Sequence, residues 1–152
     1  MKVKFVVLAA SMLAAMVLAG SPAGAQAPRM VKIGVNEMLS GDFIAAGVAP
    51  TAGVRLAVKE INEKGGFSMG GANYQLQLIE YDNRSQPAAA MAGMTKLVEE
   101  DKVKFVFGPT VGALAMQTQE ITVAAKVIHF NPATVWQAEV LRDPKKPLLF
   151  GT

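Results

Sequence analysis

The chain has 152 residues, about one domain by length, and 51% of them are hydrophobic, so a sizeable core is expected. It has no cysteine, which excludes disulfides, a zinc–thiolate site and a cysteine nucleophile. The formal net charge is only +3, and no cluster of Lys and Arg suggests a nucleic-acid or anionic-membrane surface.

The first 25 residues are typical of a secretory signal peptide. Lys2 and Lys4 precede an apolar run from Phe5 to Ala19, and the segment then ends in an Ala-x-Ala cleavage pattern at Ala25. A membrane anchor is the alternative, but this run is shorter than the roughly 20 residues that span a bilayer. Cleavage would leave 13 basic residues against 12 acidic ones. We therefore expect a periplasmic or secreted protein.

Strand-like and helix-like patterns alternate along the rest of the chain. Five apolar runs predict strands, at Val31–Val35, Tyr74–Tyr81, Val103–Phe107, Val127–Phe130 and Leu148–Phe150. Three amphipathic segments predict helices, from Thr51 to Glu63, from Pro87 to the charged run at 99–102, and from Gly112 to Ala125. Residues 38–47 and 67–73 predict a glycine-bounded loop and a turn-rich connection.

This alternation predicts an α/β fold. Right-handed βαβ units give a doubly wound, mainly parallel sheet with helices on both faces. A strand order of 2-1-3-4-5 puts the switch point between the first and third strands, where Met38–Gly47 faces Gly108–Gly112 and residues 131–136 join the same edge. Ligands bind at such points, and free N–H groups at the start of the third helix attract anions.

Several short motifs carry a resemblance to a known family. They are Lys32-Ile33-Gly34-Val35 before Leu39-Ser40-Gly41, Gly53–Val58 leading into Ile61-Asn62-Glu63-Lys64-Gly65-Gly66, Tyr81-Asp82-Asn83 before Pro87, Phe107-Gly108-Pro109, and Asn131-Pro132-Ala133-Thr134. In this order and behind a signal peptide, they resemble the type I periplasmic solute-binding proteins of ABC importers, especially the Leu/Ile/Val-binding group. The resemblance covers essentially all of the chain after the signal segment.

The resemblance implies the site residues. In amino-acid binders of this family, the loop after the Gly-Pro-like turn holds the ligand carboxylate, and its positions fall on Thr110, Val111 and Gly112, where Gly112 replaces the expected Ser. Backbone N–H groups of Gly112 and Ala113 remain as anion donors. The next loop contributes Ala133, Thr134, Val135 and Trp136, with Val135 at the place of a Thr that helps to hold the α-amino group. Ala46 replaces an aromatic residue, and Phe43 and Trp136 offer stacking surface.

Family members have two lobes and are more than twice this long. The resemblance therefore implies a signal peptide at 1–25, a short linker at 26–30 and an N-terminal ligand-binding lobe at 31–152, with the second lobe absent. The implied function is non-enzymatic: the lobe binds a branched-chain amino acid, an amide or an aromatic acid for an ABC permease in the inner membrane, without a cofactor or nucleic acid. An exported enzyme domain with this layout and a ligand-sensing receptor lobe are the alternatives.

Two patterns that favour an enzyme are better explained structurally. Gly66-Phe67-Ser68-Met69-Gly70 matches a nucleophile elbow, but it precedes a predicted strand instead of following one. His129, the single histidine, lies in a short apolar strand and is interpreted as a hydrogen-bonded core or edge residue. The sequence shows neither a metal-ligand spacing nor a phosphate-binding fingerprint.

Overall fold

A computed structural model describes residues 27–132 and 143–151. The elements in chain order are β1 (Arg29–Glu37), α1 (Ile44–Glu63), β2 (Phe67–Met69), β3 (Ala72–Asp82), α2 (Pro87–Thr95), β4 (Phe105–Phe107), α3 (Gly112–Ala124), β5 (Ile128–Asn131) and β6 (Leu149–Gly151). A π-helical turn, Lys96–Glu100, follows α2 directly. The predicted signal peptide lies outside the described residues, and β1 already begins within the predicted linker.

The predicted sheet is confirmed. The six strands lie in the order β2-β3-β1-β4-β5-β6. Pairing is parallel from β3 across β1, β4 and β5 to β6, so the five predicted strands have the order 2-1-3-4-5. β1 has a parallel partner on each side, which places the switch point beyond its carboxyl end.

Strand β2 is a short hairpin strand that the sequence analysis did not predict. β2 pairs antiparallel with β3 through Phe67–Tyr74 and Met69–Ala72. The two residues between them, Gly70 and Gly71, both have positive φ, at 57° and 75°. This backbone matches a two-residue hairpin turn, in which glycine has no steric penalty. The Gly-Gly pair was therefore the available signal.

Helix α1 begins earlier than the sequence predicts. It starts at Ile44 instead of Thr51, so the prediction of a loop through Gly47 is wrong for the last part of that segment. Pro50 lies inside the helix and supplies no N–H to the preceding turn. The Thr51 hydroxyl donates to the Gly47 carbonyl at 2.7 Å, and Ala46 packs against a buried cluster. Tertiary packing thus outweighs the low helix propensity of Gly47 and Pro50.

A side-chain amide attaches the far end of α1 to the sheet. Because β2 pairs with β3 only as far as Tyr74, the next backbone groups on that side need another partner. The Asn62 side chain donates to the Leu76 carbonyl at 2.8 Å and accepts from the Leu76 N–H at 2.9 Å. Asn62 thereby replaces one residue of a neighbouring strand.

Helices cover both faces of the sheet, as predicted. α2, its π turn and α3 lie on one face over a core that contains Met94, Leu97, Val103, Val106 and Val127. α1 lies on the other face, where Ile33 and Val35 point toward it. No helix within residues 27–132 or 143–151 has the length and hydropathy needed to cross a bilayer.

An aromatic row lies on the α1 face beside the helix. Val35, Phe107, Phe130 and Phe150 are register neighbours across β1, β4, β5 and β6. Phe107 and Phe130 meet edge to face with centroids 5.4 Å apart, and Phe150 is 47% exposed. A cavity of about 410 Å³ separates this row from α1. Within the described part of the chain, no helix covers this face over β4 to β6.

We expect two glycines of α1 to respond in opposite ways to alanine. A Cβ at Gly47 would lie 2.4 Å from the Met38 carbonyl oxygen, so Gly47→Ala should lower the free energy of unfolding by about 1 to 3 kcal/mol. Gly53 has no neighbour within 4 Å of such a Cβ, and Gly53→Ala should raise it by up to about 1 kcal/mol. Urea unfolding of both variants measures this, and equal effects would contradict the close approach of α1 to Met38, directly after β1.

Candidate functional site

The loops that follow β1, β3 and β4 meet at the carboxyl edge of the sheet, beside the switch point. The first connects β1 to α1, the second connects β3 to α2, and the third connects β4 to α3. Each contains backbone groups outside regular ladders, so polar side chains must satisfy them. Three such side chains, from Asp82, Glu37 and His129, organise the edge.

Asp82 holds the β1–α1 loop. Its carboxylate accepts from the backbone N–H groups of Leu39, Ser40 and Arg84 at 2.9 to 3.1 Å, and from the Ser40 hydroxyl at 2.6 Å. Burial opposes ionisation, but these hydrogen bonds outweigh it and lower the pKa of Asp82. Ser85 adds a second link by accepting from the Phe43 N–H and donating to the Ser40 carbonyl. The first loop is therefore fixed to the second.

Glu37, the last residue of β1, holds the β4–α3 loop. Its Oε1 accepts from the Thr110 hydroxyl at 2.7 Å, and its Oε2 accepts from the Thr110 N–H at 3.1 Å. The side chain is buried, and this burial raises the pKa of Glu37, although hydrogen bonds from Thr110 and Met38 oppose the shift. A Cβ at Gly108 would lie 2.2 Å from Oε1, so only glycine leaves room for the carboxyl group.

Strand β5 holds the Gly108-Pro109 turn of this loop from the other side. His129 Nε2 lies 2.7 Å from the Gly108 carbonyl, and the Asn131 amide donates to the Pro109 carbonyl at 2.8 Å. Because a carbonyl only accepts, this contact puts the imidazole proton on Nε2, and Nδ1 accepts from the Thr122 hydroxyl at 3.0 Å. Burial lowers the pKa of His129 to about 4, so the ring is neutral at pH 7. The interpretation of His129 as a hydrogen-bonded core residue is confirmed.

The N-terminus of α3 projects from this braced turn. Gly112 is its first residue, as predicted, and the N-cap residue Val111 provides no side-chain cap. The first N–H groups of a helix have no partner within the helix, and the helix dipole makes this end positive. Leu114 and Ala115 direct their N–H groups to the Val111 carbonyl, which leaves those of Gly112 and Ala113 as the outermost donors of the turn.

The structure brings some of the predicted site residues together. Ala46 and Val111 pack against one cluster formed by Met38, Ala90 and Leu114, so the first and third loops do meet. Phe43, at 52% exposure, is available as a stacking surface. Thr110 is close by, but both of its donors are bonded to Glu37. The predicted residues Ala133, Thr134, Val135 and Trp136 lie outside the described residues.

Sequence reasoning missed the residues that brace the site. Asn36, Glu37 and Asn131 are buried at strand ends, where the hydrophobic pattern alone gives no role to polar residues. The Asn36 side chain donates to the Ala90 carbonyl at 2.8 Å and accepts from the Asn83 amide. A polar residue directly after an apolar run was the available signal, because parallel strands end together at one edge.

The Gly66–Gly70 segment does not have the geometry of a nucleophile elbow. Ser68 lies in the hairpin strand β2, opposite Asn73, and not in a turn between a strand and a helix. Within the residues that the structure describes, no group of three His, Cys, Asp or Glu side chains is arranged to bind a metal.

A doubly wound sheet whose loops part at the switch point is a fold in which many proteins bind small ligands. Residues 30–151 match the profile of the family described as periplasmic binding protein, and the chain belongs to that family of solute-binding proteins. A leucine-, isoleucine-, valine-, threonine- and alanine-binding protein of Pseudomonas aeruginosa is 31% identical over 120 residues, which are 79% of this chain and 31% of the relative.

Solved structures agree with this assignment. A branched-chain amino acid transporter substrate-binding protein from Streptococcus pneumoniae, in complex with isoleucine, superposes with a TM-score of 0.71 at 31% identity, over 81% of this chain and 33% of that protein. A Rhodopseudomonas palustris solute-binding protein in complex with benzoate shares the fold, with a TM-score of 0.63 at 24% identity over 80% of this chain and 32% of that protein. The chain thus spans about a third of the length of these relatives.

We expect acid to destabilise the fold through His129. The unfolded side chain takes up a proton near pH 6.5 and the buried one only near pH 4, so the stability present above 6.5 is lost as the pH falls through this range. The loss should reach about 3 kcal/mol. Urea unfolding between pH 4 and 7 measures it, and the difference between wild type and His129→Gln should vary with pH. A constant difference would contradict a buried neutral imidazole.

Proposed function

We propose that this protein is the extracytoplasmic solute-binding component of an ABC importer and acts without catalysing a reaction. In this role it binds a small organic ligand that carries a carboxylate or an amide, and delivers it to a permease in the inner membrane. The observation that carries the proposal is family membership over residues 30–151, together with the loops that meet at the switch point. In the described part of this edge, the titratable side chains of Asp82, Glu37 and His129 are engaged in hydrogen bonds that hold the loops, which favours binding over chemistry.

The helix terminus supports a ligand with an anionic or acceptor group. In the proposed site, the Gly112 and Ala113 N–H groups and the positive end of the α3 dipole hold a carboxylate or an amide oxygen. Glycine at position 112 leaves no hydroxyl there, so recognition of this group rests on the main chain. Phe43 and the predicted Trp136 give the apolar part of the ligand a surface against which to stack.

The α-amino group of an amino acid needs a separate acceptor. The two carboxylates that organise this edge are already bonded, Asp82 to four donors and Glu37 to both donors of Thr110. Relatives at 31% identity bind branched-chain amino acids, which makes these the first ligands to test. Because both of these carboxylates are engaged in the described part of the site, an aromatic acid or an amide, which carries no positive charge to be paired, is a comparably good candidate.

Calorimetric titration with L-isoleucine, benzoate and benzamide distinguishes these ligand classes. We expect saturable binding of at least one of them, and a ligand at 100 times its dissociation constant should stabilise the protein by about 2.7 kcal/mol. Since the relatives are about three times as long, we propose that a second lobe forms the opposite wall of the cleft, and the titration should use the longest product of the gene. Lack of binding and of stabilisation with all three probes would overturn the proposed ligand classes.

A negative charge at Gly112 should weaken carboxylate binding. Gly112→Asp favours the helix itself, because an acidic residue suits the first turn, but it repels an anion at the same N–H groups. We expect a loss of affinity for benzoate or isoleucine of about tenfold, which corresponds to about 1.4 kcal/mol. Gly112→Asn is the matched neutral control and should lose less. Equal affinity of the Asp and Asn variants would show that the start of α3 does not hold the anion.

A further inference from the structure

Glu37 is an acidic residue in an environment that disfavours its charge. It is 1% exposed and lies beside the apolar cavity under α1, near Pro50, Val54 and Phe107. Burying a carboxylate costs several kcal/mol unless hydrogen bonds replace its water. A purely structural role would be filled at lower cost by an apolar residue of similar size. The contacts of Glu37 therefore indicate what the residue does.

These contacts connect the end of β1 to all three loops of the edge. The side chain takes both donors of Thr110, at 2.7 and 3.1 Å. The main-chain carbonyl of Glu37 accepts from the N–H groups of Leu39 at 3.1 Å and Asn83 at 3.0 Å. One residue thus bonds the β1–α1 loop, the β3–α2 loop and the β4–α3 loop.

The neighbouring glycine is matched to the carboxyl group. Gly108 has a φ of 77°, and a Cβ there would lie 2.2 Å from Oε1 and 2.8 Å from the Asn36 carbonyl oxygen. His129 and Asn131 hold the Gly108 and Pro109 carbonyls from β5. The turn is thus held from β1 on one side and from β5 on the other, and Glu37 holds Thr110, the residue before the N-cap Val111 of α3.

We propose that Glu37 is a positioning residue for the anion-binding turn: it engages both donors of Thr110 and so presents the Gly112 and Ala113 N–H groups to the ligand. This inference rests on the proposed function, because it assigns Glu37 a role in the same site. It also makes Glu37 a determinant of specificity. With Thr110 engaged, the ligand meets main-chain donors and no free hydroxyl in this turn.

Two single variants and their combination test the role. Glu37→Gln keeps the shape but loses one of the two acceptors, and Thr110→Val removes the hydroxyl without changing the shape of the residue. We expect Glu37→Gln to weaken benzoate or L-isoleucine binding about fivefold to tenfold, and Thr110→Val to weaken it less. Because the two residues act through one contact, the double variant should bind about as well as Glu37→Gln alone.

Thr110→Ser is the conservative control, because it keeps both donors and should bind within about twofold of wild type. Affinity of Glu37→Gln equal to wild type, or a double variant whose loss is the sum of the single losses, would overturn the positioning role. Urea unfolding of each variant shows whether a loss of affinity reflects a loss of folded protein.

A measurement without ligand separates this inference from the proposed function. The α1 residues that line the cavity beside Glu37, such as Pro50, Thr51 and Val54, do not titrate, and the titratable His129 lies beyond the Gly108 carbonyl. The amide proton of Thr110 should therefore follow the titration of Glu37 in a nuclear magnetic resonance pH series, and it should stop doing so in Glu37→Gln. A Thr110 amide that does not titrate overturns the positioning role. Failure of wild type to bind any probe overturns the proposed function instead.

Discussion

Strand β1 is the constraint on which the rest of this lobe depends. It is paired in parallel on both sides, with β3 along its whole length and with β4 at its centre. Parallel strands need crossovers, and the crossover from β1 to β3 runs across the sheet in the opposite direction to the one from β3 to β4. Right-handed crossovers in opposite directions must use opposite faces of the sheet. α1 therefore covers one face, and α2 and α3 cover the other. Their loops part at the end of β1, which opens the crevice there.

The same constraint explains the aromatic row. From β3 onward every connection moves in one direction across the sheet, so the right-handed rule sends each helix to the face of α2 and α3. On the α1 face, Phe107, Phe130 and Phe150 therefore receive no cover from successive crossovers in the described part of the chain. Parallel sheets are normally buried on both faces. Among the described residues, this face therefore keeps an apolar row, and Phe150 at its end is 47% exposed.

The sequence predicted the parts of the fold that depend on hydrophobic periodicity and on the proline and glycine residues that mark the ends of helices and strands. Runs such as Tyr74–Tyr81 alternate clearly, and Pro87 and Gly112 mark helix starts that the structure confirms. It did not predict where tertiary contacts outweigh local preference, as at the start of α1, where Gly47 and Pro50 are helical. Gly112 was predicted at the start of the third helix and lies there, whereas its contact with a ligand stays a prediction. Glu37 was missed because its role depends on contacts with Thr110 and Gly108, which are distant from it in the sequence.

In the proposed site, recognition through the main chain limits how specificity can arise. N–H groups at a helix start bind any carboxylate or amide oxygen, so they supply affinity without identifying the ligand. Hydrogen bonds to Glu37, His129 and Asn131 hold the turn before these donors, and donors that are already held in place cost less to order on binding. In the proposed site, discrimination therefore rests on the groups that meet the remainder of the ligand, among them the exposed ring of Phe43. A substitution at any of these can change the ligand while the edge of the sheet stays the same.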